Sequence, residues 1–354
     1  MGSVTGQFQN FQSEAPLHPA ARAFLTEAFD RGWSDPTKPL FESRRAAILL
    51  NEAKETFAAH LGIRPDQVEF LSSPSTGFHM GISGFATPGA TLYYPATARS
   101  EVFAVADHFL GEKLSVDLEG QVLWPRGEAD DLLCWQSGNG ETGIISTPSS
   151  NFIGRVFVDA TASAGLVPLP GRWHGALWDS RSWQGPAGLG VFAISEKSLW
   201  RNPLPHVDQK ITSPDFSLPL ALASAIALDA YSAEYAEERA TLFALNERIR
   251  NFLLTEIGRV DIAGSSTNTL PHLLSFSLLY LDAAILVSEL DRRGLSVDSG
   301  SACNATNMEP SHVLAAMGLL TQGNIRLTLQ PRMNQESVEM FLTTLKDLVT
   351  ELRS

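Results

Sequence analysis

A thiol lies among small residues near the end of the chain, in the segment SVDSGSACNATNMEPSHVLAAMGL, residues 296–319. Gly300 and its small neighbours permit a tight turn and close approach to another surface, so Cys303 is predicted to lie on a loop. Pro310 suits the first turn of a following helix, whose apolar residues recur at helical spacing. A loop thiol becomes a nucleophile or sulfur acceptor when its pKa is lowered. A small buried cysteine fits the residue alone equally well.

Four other residues have side chains and positions suited to binding charged groups. Thr76 and Gly77 stand where small polar residues lead into a helix, a pattern typical of a phosphate site and equally of a simple helix cap. Asp159 ends an apolar strand, and a carboxylate at that end of a strand in an α/β sheet is a typical ligand position. Arg326 lies in the apolar strand NIRLTL, where a guanidinium suits bidentate binding of a carboxylate, and where an arginine can equally be buried and paired within the protein.

Composition narrows the class of protein. A chain of 354 residues with 44% hydrophobic content predicts a globular protein of two domains. The formal charge of −13 argues against nucleic acid and against anionic membranes as partners. Two cysteines give neither a disulfide framework nor zinc-ligand spacing. The polar N-terminal stretch and the lack of a long apolar run predict a soluble, cytoplasmic protein.

Strand-like and helix-like patterns alternate along the chain, which predicts an α/β fold. Only about nine residues follow the loop SGNGETGII before the next strand, too few for a crossover helix. Helices are predicted at 19–31, 42–61, 99–109, 218–257, 283–293 and 334–352, and strands at 67–71, 92–94, 132–136, 155–159, 272–278 and 324–329.

The thiol segment resembles the cysteine desulfurases of the class V aminotransferase family, whose pattern is SSGSAC followed closely by PSHVLxAMGL. The segments SGNGETG, VDATASAG and GPAGLGVFAI are similar to the family's NNETG, VDAxQSAG and GPxGxGxLxV. The resemblance runs from about residue 17 to the end. It implies a fold type I aminotransferase-like α/β architecture, with a large domain built on a mostly parallel seven-stranded sheet sandwiched by helices, and a smaller α+β C-terminal domain. The expected divisions are an arm at 1–16, the large domain at 17–235 and the small domain at 236–354.

The resemblance also implies roles for individual residues. In the family, a loop cysteine takes sulfur from a cysteine substrate bound to pyridoxal phosphate, and Cys303 holds that position. Asp159 corresponds to the aspartate that pairs with the protonated pyridine nitrogen. Thr76 and Gly77 correspond to the phosphate-binding turn. Arg326 corresponds to the arginine that grips the substrate carboxylate.

Three more cofactor contacts follow from the resemblance. Asn139 or Gly140 takes the place of the asparagine that contacts the cofactor, and Asn139 is favoured. Arg99 stands where the family has a histidine stacked on the pyridine ring. An arginine can stack there, or can form a surface salt bridge. Gln209 lies in the loop that lends a phosphate contact to the partner subunit of the family's homodimer.

The chain departs from the family at the residues that anchor the cofactor. Counting back from Gly185, the family's S-x-H-K falls on residues 179–182, so Ser182 holds the Schiff-base lysine position. A serine hydroxyl cannot form an imine. Asp179 replaces a phosphate-binding serine. Its carboxylate would repel a bound phosphate, because two like charges in contact in a dry site repel by several kcal/mol. Arg181 replaces the histidine of the motif. Lys210 is the one lysine in a loop that the family places near the site.

These observations leave three hypotheses open. In the first, the protein lacks ordinary Schiff-base catalysis, a pseudoenzyme that handles sulfur or a persulfide through Cys303 or regulates an active desulfurase. In the second, a cysteine desulfurase, C–S lyase or aminotransferase binds pyridoxal phosphate non-covalently. In the third, only a dimeric scaffold remains. Expected partners are a second copy, a small amino acid or persulfide, and a protein that accepts sulfur or is itself a desulfurase.

Overall fold

A computed structural model describes residues 9–14, 16–31, 34–36, 38–147, 149–205, 216–300 and 310–354. The strands are β1 (Gln9–Asn10), β2 (Val68–Leu71), β3 (Thr91–Pro95), β4 (Leu110–Leu114), β5 (Leu132–Gln136), β6 (Arg155–Asp159), β7 (Gly175–Asp179), β8 (Gly190–Ile194), β9 (Val260–Ile262), β10 (Leu273–Leu278), β11 (Leu295–Ser296) and β12 (Asn324–Thr328). The helices are α1 (Pro19–Arg31), α2 (Phe41–Leu61), α3 (Pro74–Phe85), α4 (Ser100–Ala106), α5 (Leu218–Phe252), α6 (Ala283–Arg292), α7 (His312–Ala316) and α8 (Gln335–Arg353).

A sheet of seven strands forms the centre, in the order β2-β8-β7-β6-β5-β3-β4. Strands β3 to β7 run parallel to one another, whereas β8 is antiparallel to both β7 and β2. Residues of β5, β7 and β8 are buried throughout. Such continuous apolar runs are typical of parallel strands covered on both faces. The expected mostly parallel seven-stranded sheet and fold type I class are confirmed.

Helices cover both faces of this sheet. Successive side chains of a strand point to opposite faces, so each strand packs against helices on both sides. Phe157 packs with Phe78 and Phe85 of α3 on one face. Val158, the next residue, packs into the larger core that contains residues of α2 and α5. The connection from β5 to β6 contains no helix among its described residues, as the sequence predicts.

A second sheet, of order β12-β10-β9, is antiparallel. Its apolar residues join those of α5, α6 and α8 in the same core as the large sheet, and α5 extends over 35 residues. The proposed division between domains at residue 235 therefore falls within α5 and remains a prediction. Among the described residues, no helix is both long and apolar enough to span a bilayer.

The N-terminal arm lies against this second sheet. Strand β1 pairs in parallel with β11, and Phe11, which is fully buried, accepts a hydrogen bond from the Thr328 N–H at 2.7 Å. The Ser13 N–H donates to the Asp298 carboxylate at 2.7 Å. The arm therefore leads Ser13 and Glu14 to the wall of the main cavity.

Candidate functional site

A cavity of about 600 Å³ opens where the large sheet, the arm and the second sheet meet. Its wall includes Gln136 and Asp179, the last residues of β5 and β7, and Thr161, which follows β6. The C-terminal edge of parallel strands is the usual ligand position in α/β sheets. Side chains from the second sheet and the segments beside it complete the wall, among them His272, Arg326 and Thr328.

The Asp159 carboxylate lies directly beneath this wall and is 1% exposed. Its Oδ1 accepts hydrogen bonds from the Thr161 hydroxyl at 2.6 Å and the Thr161 N–H at 3.0 Å, and its Oδ2 accepts one from Gln136 Nε2 at 3.4 Å. Burial raises the pKa of Asp159, and the Arg99 guanidinium partly opposes that effect. Asp159 therefore acts on the cavity through Thr161 and Gln136, which line it.

Asn139 organises the loop that follows β5. Its Nδ2 donates to the Thr97 carbonyl at 3.1 Å and to Gln136 Oε1 at 3.0 Å. Its Oδ1 accepts from the N–H groups of Glu141 and Thr142, both at 2.9 Å. Asn139 and Gly140 both line the cavity, and the direct contact of Asn139 with a cofactor remains a prediction.

The start of α3 is capped by the chain itself. Ser73 Oγ accepts the Thr76 N–H at 3.1 Å and lies 2.9 Å from the Thr76 hydroxyl, while the Gly77 N–H goes to the Ser73 carbonyl. A Cβ on Gly77 would lie 2.4 Å from the Leu177 side chain, so this glycine permits close packing of α3 on β7. Thr76 and Gly77 are not on the cavity wall, and their predicted phosphate contact lacks direct support.

The segment that holds the anchoring position follows β7. Asp179 begins a short 3-10 turn, Ser180–Trp183, and its carboxylate accepts from both the backbone N–H and the guanidinium of Arg181, the latter at 2.8 Å. The Ser182 hydroxyl lines the cavity and donates to the Asp179 carbonyl at 2.7 Å. No lysine of the described ranges lies on the cavity wall.

Several predicted residues fall outside the part of the chain that the structure describes. They include the proposed sulfur acceptor Cys303, the loop residue Gln209 and the remaining lysine candidate Lys210. Of the two described flanks of the cysteine segment, the C-terminal one lies at the cavity. The Gly300 N–H donates to Asn324 Oδ1 at 2.8 Å, and His312 lines the wall with its ring 2.9 Å from the Ala98 carbonyl.

Each arginine on the described cavity wall already faces a carboxylate of this chain. The pairs and their shortest N to O distances are Arg99 with Glu101 at 3.5 Å, Arg181 with Asp179 at 2.8 Å, and Arg326 with Asp298 at 3.4 Å. Arg326 and Asp298 are largely buried, so their attraction is only weakly screened by solvent. Arg326, which is predicted to bind a substrate carboxylate, is thus already paired with a carboxylate of this chain.

His272 is a site residue that the sequence does not reveal. It lines the cavity at 6% exposure, and its Nδ1 has no hydrogen-bond partner among the described residues. Burial lowers the pKa of His272 to about 4, so its ring is neutral near pH 7. It stands in no ligand-spacing motif, and only the fold brings it to the cavity. Asp298 could have been identified from the sequence, because it replaces the first serine of the SSGSAC pattern.

The cavity residues suit the pyridine ring of pyridoxal phosphate, the cofactor that the resemblance implies, but do not suit its phosphate group. The cavity is large enough for a flat ligand ring above the buried Asp159 and near Arg99. The Arg99 guanidinium itself lies 5.9 Å from the centre of the Phe78 ring. A phosphate dianion would face the carboxylates of Glu101 and Asp179, beside a helix start that is already capped. The implied cofactor, pyridoxal phosphate, therefore matches this cavity in part only.

Comparisons with known proteins agree with the fold and the motifs. No protein-family model matches the chain. Cysteine desulfurase IscS of Dictyoglomus turgidum is 26% identical over 96% of this chain and 92% of its own length. Cysteine desulfurase IscS of Methanosarcina thermophila is 29% identical over 94% and 88%. A solved NifS-like protein superposes with a TM-score of 0.84 at 20% identity, covering 97% of this chain and 99% of that one.

Proposed function

We propose that this chain, which is similar to cysteine desulfurases over nearly its whole length, is a cysteine-desulfurase-like member of the class V aminotransferase family. In this proposal it binds a pyridoxal-type ring reversibly, with no covalent anchor at Ser182, and handles sulfur through Cys303. Of the hypotheses above, the relatives support the second, a pyridoxal-phosphate-dependent enzyme, better than the first. Loss of ordinary catalysis, the homodimer, a sulfur-accepting partner and a cytoplasmic location remain proposals.

The buried carboxylate of Asp159 is the observation that carries the ring-binding proposal. A carboxylate at 1% exposure has lost its hydration, which costs free energy unless a cation or hydrogen bonds compensate. Two donors of Thr161 compensate in part. A protonated ring nitrogen above Thr161 and Gln136 would supply the missing positive charge. The cavity lies over this carboxylate, at the strand edge where ligands usually bind.

The surroundings of Ser182 support reversible binding. Its hydroxyl is committed to the Asp179 carbonyl, and it carries no amine. The described lysines form other contacts, such as Lys54 and Lys197 with Glu69, or Lys346 with Glu256. A carbonyl ligand in this cavity would therefore be held by packing and charge and would leave on dialysis.

Titration of the protein with pyridoxal, followed by borohydride reduction, tests this proposal. We expect saturable binding by absorbance and no lysine stoichiometrically modified in the reduced protein. The variant Ser182→Lys restores an amine at the anchoring position and is expected to be trapped at that residue, which serves as the matched control. Stoichiometric modification of any lysine of the unaltered protein, Lys210 included, would contradict the proposal, as would a failure to bind.

The sulfur-acceptor role of Cys303 predicts selective labelling by a small persulfide. The thiolate would attack the outer sulfur of the donor, whose S–S bond breaks to release a thiol, leaving a persulfide on the protein. Cys303→Ser should remove the label. The matched control is Cys134→Ser, because Cys134 is 1% exposed and burial raises its thiol pKa well above the ordinary value. Mass spectrometry after alkylation reads the site, and a label that persists in Cys303→Ser would exclude the role.

A further inference from the structure

We infer that the cavity has been rebuilt for a cationic, unphosphorylated pyridine amine in place of the phosphorylated cofactor of its relatives. This inference rests on the proposed function and names the ligand class of the same site. It follows from the charges and hydrogen bonds of the described residues, taken from one end of the cavity to the other.

Positive charge on the wall is already neutralised. The three wall arginines, Arg99, Arg181 and Arg326, each have a carboxylate of this chain as counterion. The Arg181 pair is the closest, with two side-chain nitrogens of the guanidinium bonded to Asp179. An incoming anion would compete with these internal carboxylates, whereas an incoming cation would not.

Further carboxylates leave the described cavity with net negative charge when histidines are counted as neutral. Glu14 and Glu141 line the wall, and Asp159 lies beneath it. The pKa of Arg181 is raised first by its hydrogen bonds and charge pairing with Asp179 and further by the charges of Glu14 and Glu101. Charge of this sign attracts a protonated amine or pyridinium and repels a phosphate dianion.

The helix start that would bind a phosphate offers fewer donors than an uncapped one. Pro74 has no N–H, and Ser73 accepts the N–H groups of Thr76 and Gly77 through its hydroxyl and carbonyl. The Ser75 hydroxyl donates to Glu101 at 3.3 Å. A helix N-terminus binds an anion through N–H groups that point at it, so this end of α3 is a poor phosphate site.

His272 presents a neutral ring to the cavity near pH 7, because burial lowers its pKa to about 4. Its ring is more than nine-tenths buried and lines the cavity, and its Nδ1 has no partner among the described residues. A neutral imidazole has one nitrogen that accepts a hydrogen bond. Because Nδ1 itself has almost no accessible surface, a ligand in the cavity would contact the His272 ring without bonding to this atom.

Calorimetric titration with pyridoxamine and with pyridoxamine 5′-phosphate tests the inference, because the two ligands differ only in the phosphate. We expect pyridoxamine to bind at least tenfold more tightly. Equal or tighter binding of the phosphorylated form would overturn the inference and leave the proposed function standing. Failure of both ligands to bind would overturn the proposed function, and the inference with it.

Two variants test which carboxylates weaken binding of the phosphorylated ligand. Asp179→Asn and Glu101→Gln keep the shape of the side chains and remove one negative charge each, so each should tighten binding of pyridoxamine 5′-phosphate several-fold without improving that of pyridoxamine. Glu112→Gln removes the same charge from the exposed edge strand β4 and should change neither affinity. Thermal unfolding verifies that each variant is folded. Unchanged affinity for the phosphorylated ligand in both cavity variants would count against the inference.

Discussion

Replacing Asp159 with asparagine is expected to weaken pyridoxamine binding at least tenfold and to raise the melting temperature of the ligand-free protein. The charge of Asp159 would reach the ligand through Thr161 and Gln136, which are bonded to it and line the cavity. A hydrogen bond to a charged group contributes about 1.5 to 3 kcal/mol, which corresponds to roughly ten- to a hundred-fold in affinity. The pKa of Asp159 is raised in the folded state, so the carboxylate destabilises the fold at pH values above that pKa. Asparagine retains an oxygen for the two Thr161 donors and removes the buried charge.

Asp131→Asn is the matched control for this prediction. Asp131 is also buried on the large sheet, at 6% exposure, and its oxygens accept from the N–H groups of Thr91 and Glu128, both at 2.8 Å. It lies off the cavity wall, so its variant should leave ligand affinity unchanged. Calorimetric titration and thermal unfolding give the two readouts. A lower melting temperature of Asp159→Asn, with unchanged affinity, would show that this carboxylate has only a structural role.

Stability is expected to fall steeply as the pH falls from about 6.5 to 4. The unfolded chain protonates His272 near its ordinary pKa of 6.5, whereas the folded protein does so only near 4. Between these values the unfolded state binds more protons, so acid favours unfolding. The shift corresponds to roughly 3 kcal/mol at the acid end, a large part of the 5 to 15 kcal/mol typical of a folded domain. His174, whose pKa is also lowered to about 4, adds to the effect.

Urea unfolding at a series of pH values measures this loss. His272→Leu removes the titrating ring, and no hydrogen bond to Nδ1 is lost among the described residues. The variant should therefore show a shallower decline between pH 6.5 and 4, with the remainder due to His174. An unchanged decline in His272→Leu would mean that this ring is already protonated in the folded protein at mildly acidic pH.

Most elements of this fold follow from apolar periodicity in the sequence. Helix α8 was predictable from its apolar stripe and its cap, because Asn334 accepts the Ser337 N–H. Strand β4 was not predictable, since its residues LGEKL show no apolar alternation and are mostly exposed at the edge of the sheet. The helix predicted over 99–109 ends at Ala106 and the chain turns into that strand. Only its pairing with β3 in the structure identifies β4 as a strand.

The site was predictable where strands end and unpredictable where distant segments meet. Asp159 follows from the rule that ligand groups lie at the C-terminal edge of parallel strands, whereas Asp179 is placed only by the family resemblance of the segment before Gly185. The pairing of Arg326 with Asp298 depends on a bridge between β12 and the segment after β11, and no local pattern specifies it. The position of Thr161 over the Asp159 carboxylate also depends on a side-chain conformation that spacing does not give.

The docked arm has a consequence for the order in which this protein can be completed during translation. Ser13 leaves the ribosome 285 residues ahead of Asp298, to which its N–H is bonded. At about 5 to 20 residues per second, that separation is roughly 15 to 60 seconds of synthesis. Throughout that interval the nascent chain lacks the partner of its first strand, so the cavity wall that contains Ser13 and Glu14 closes only after the β11 segment has emerged.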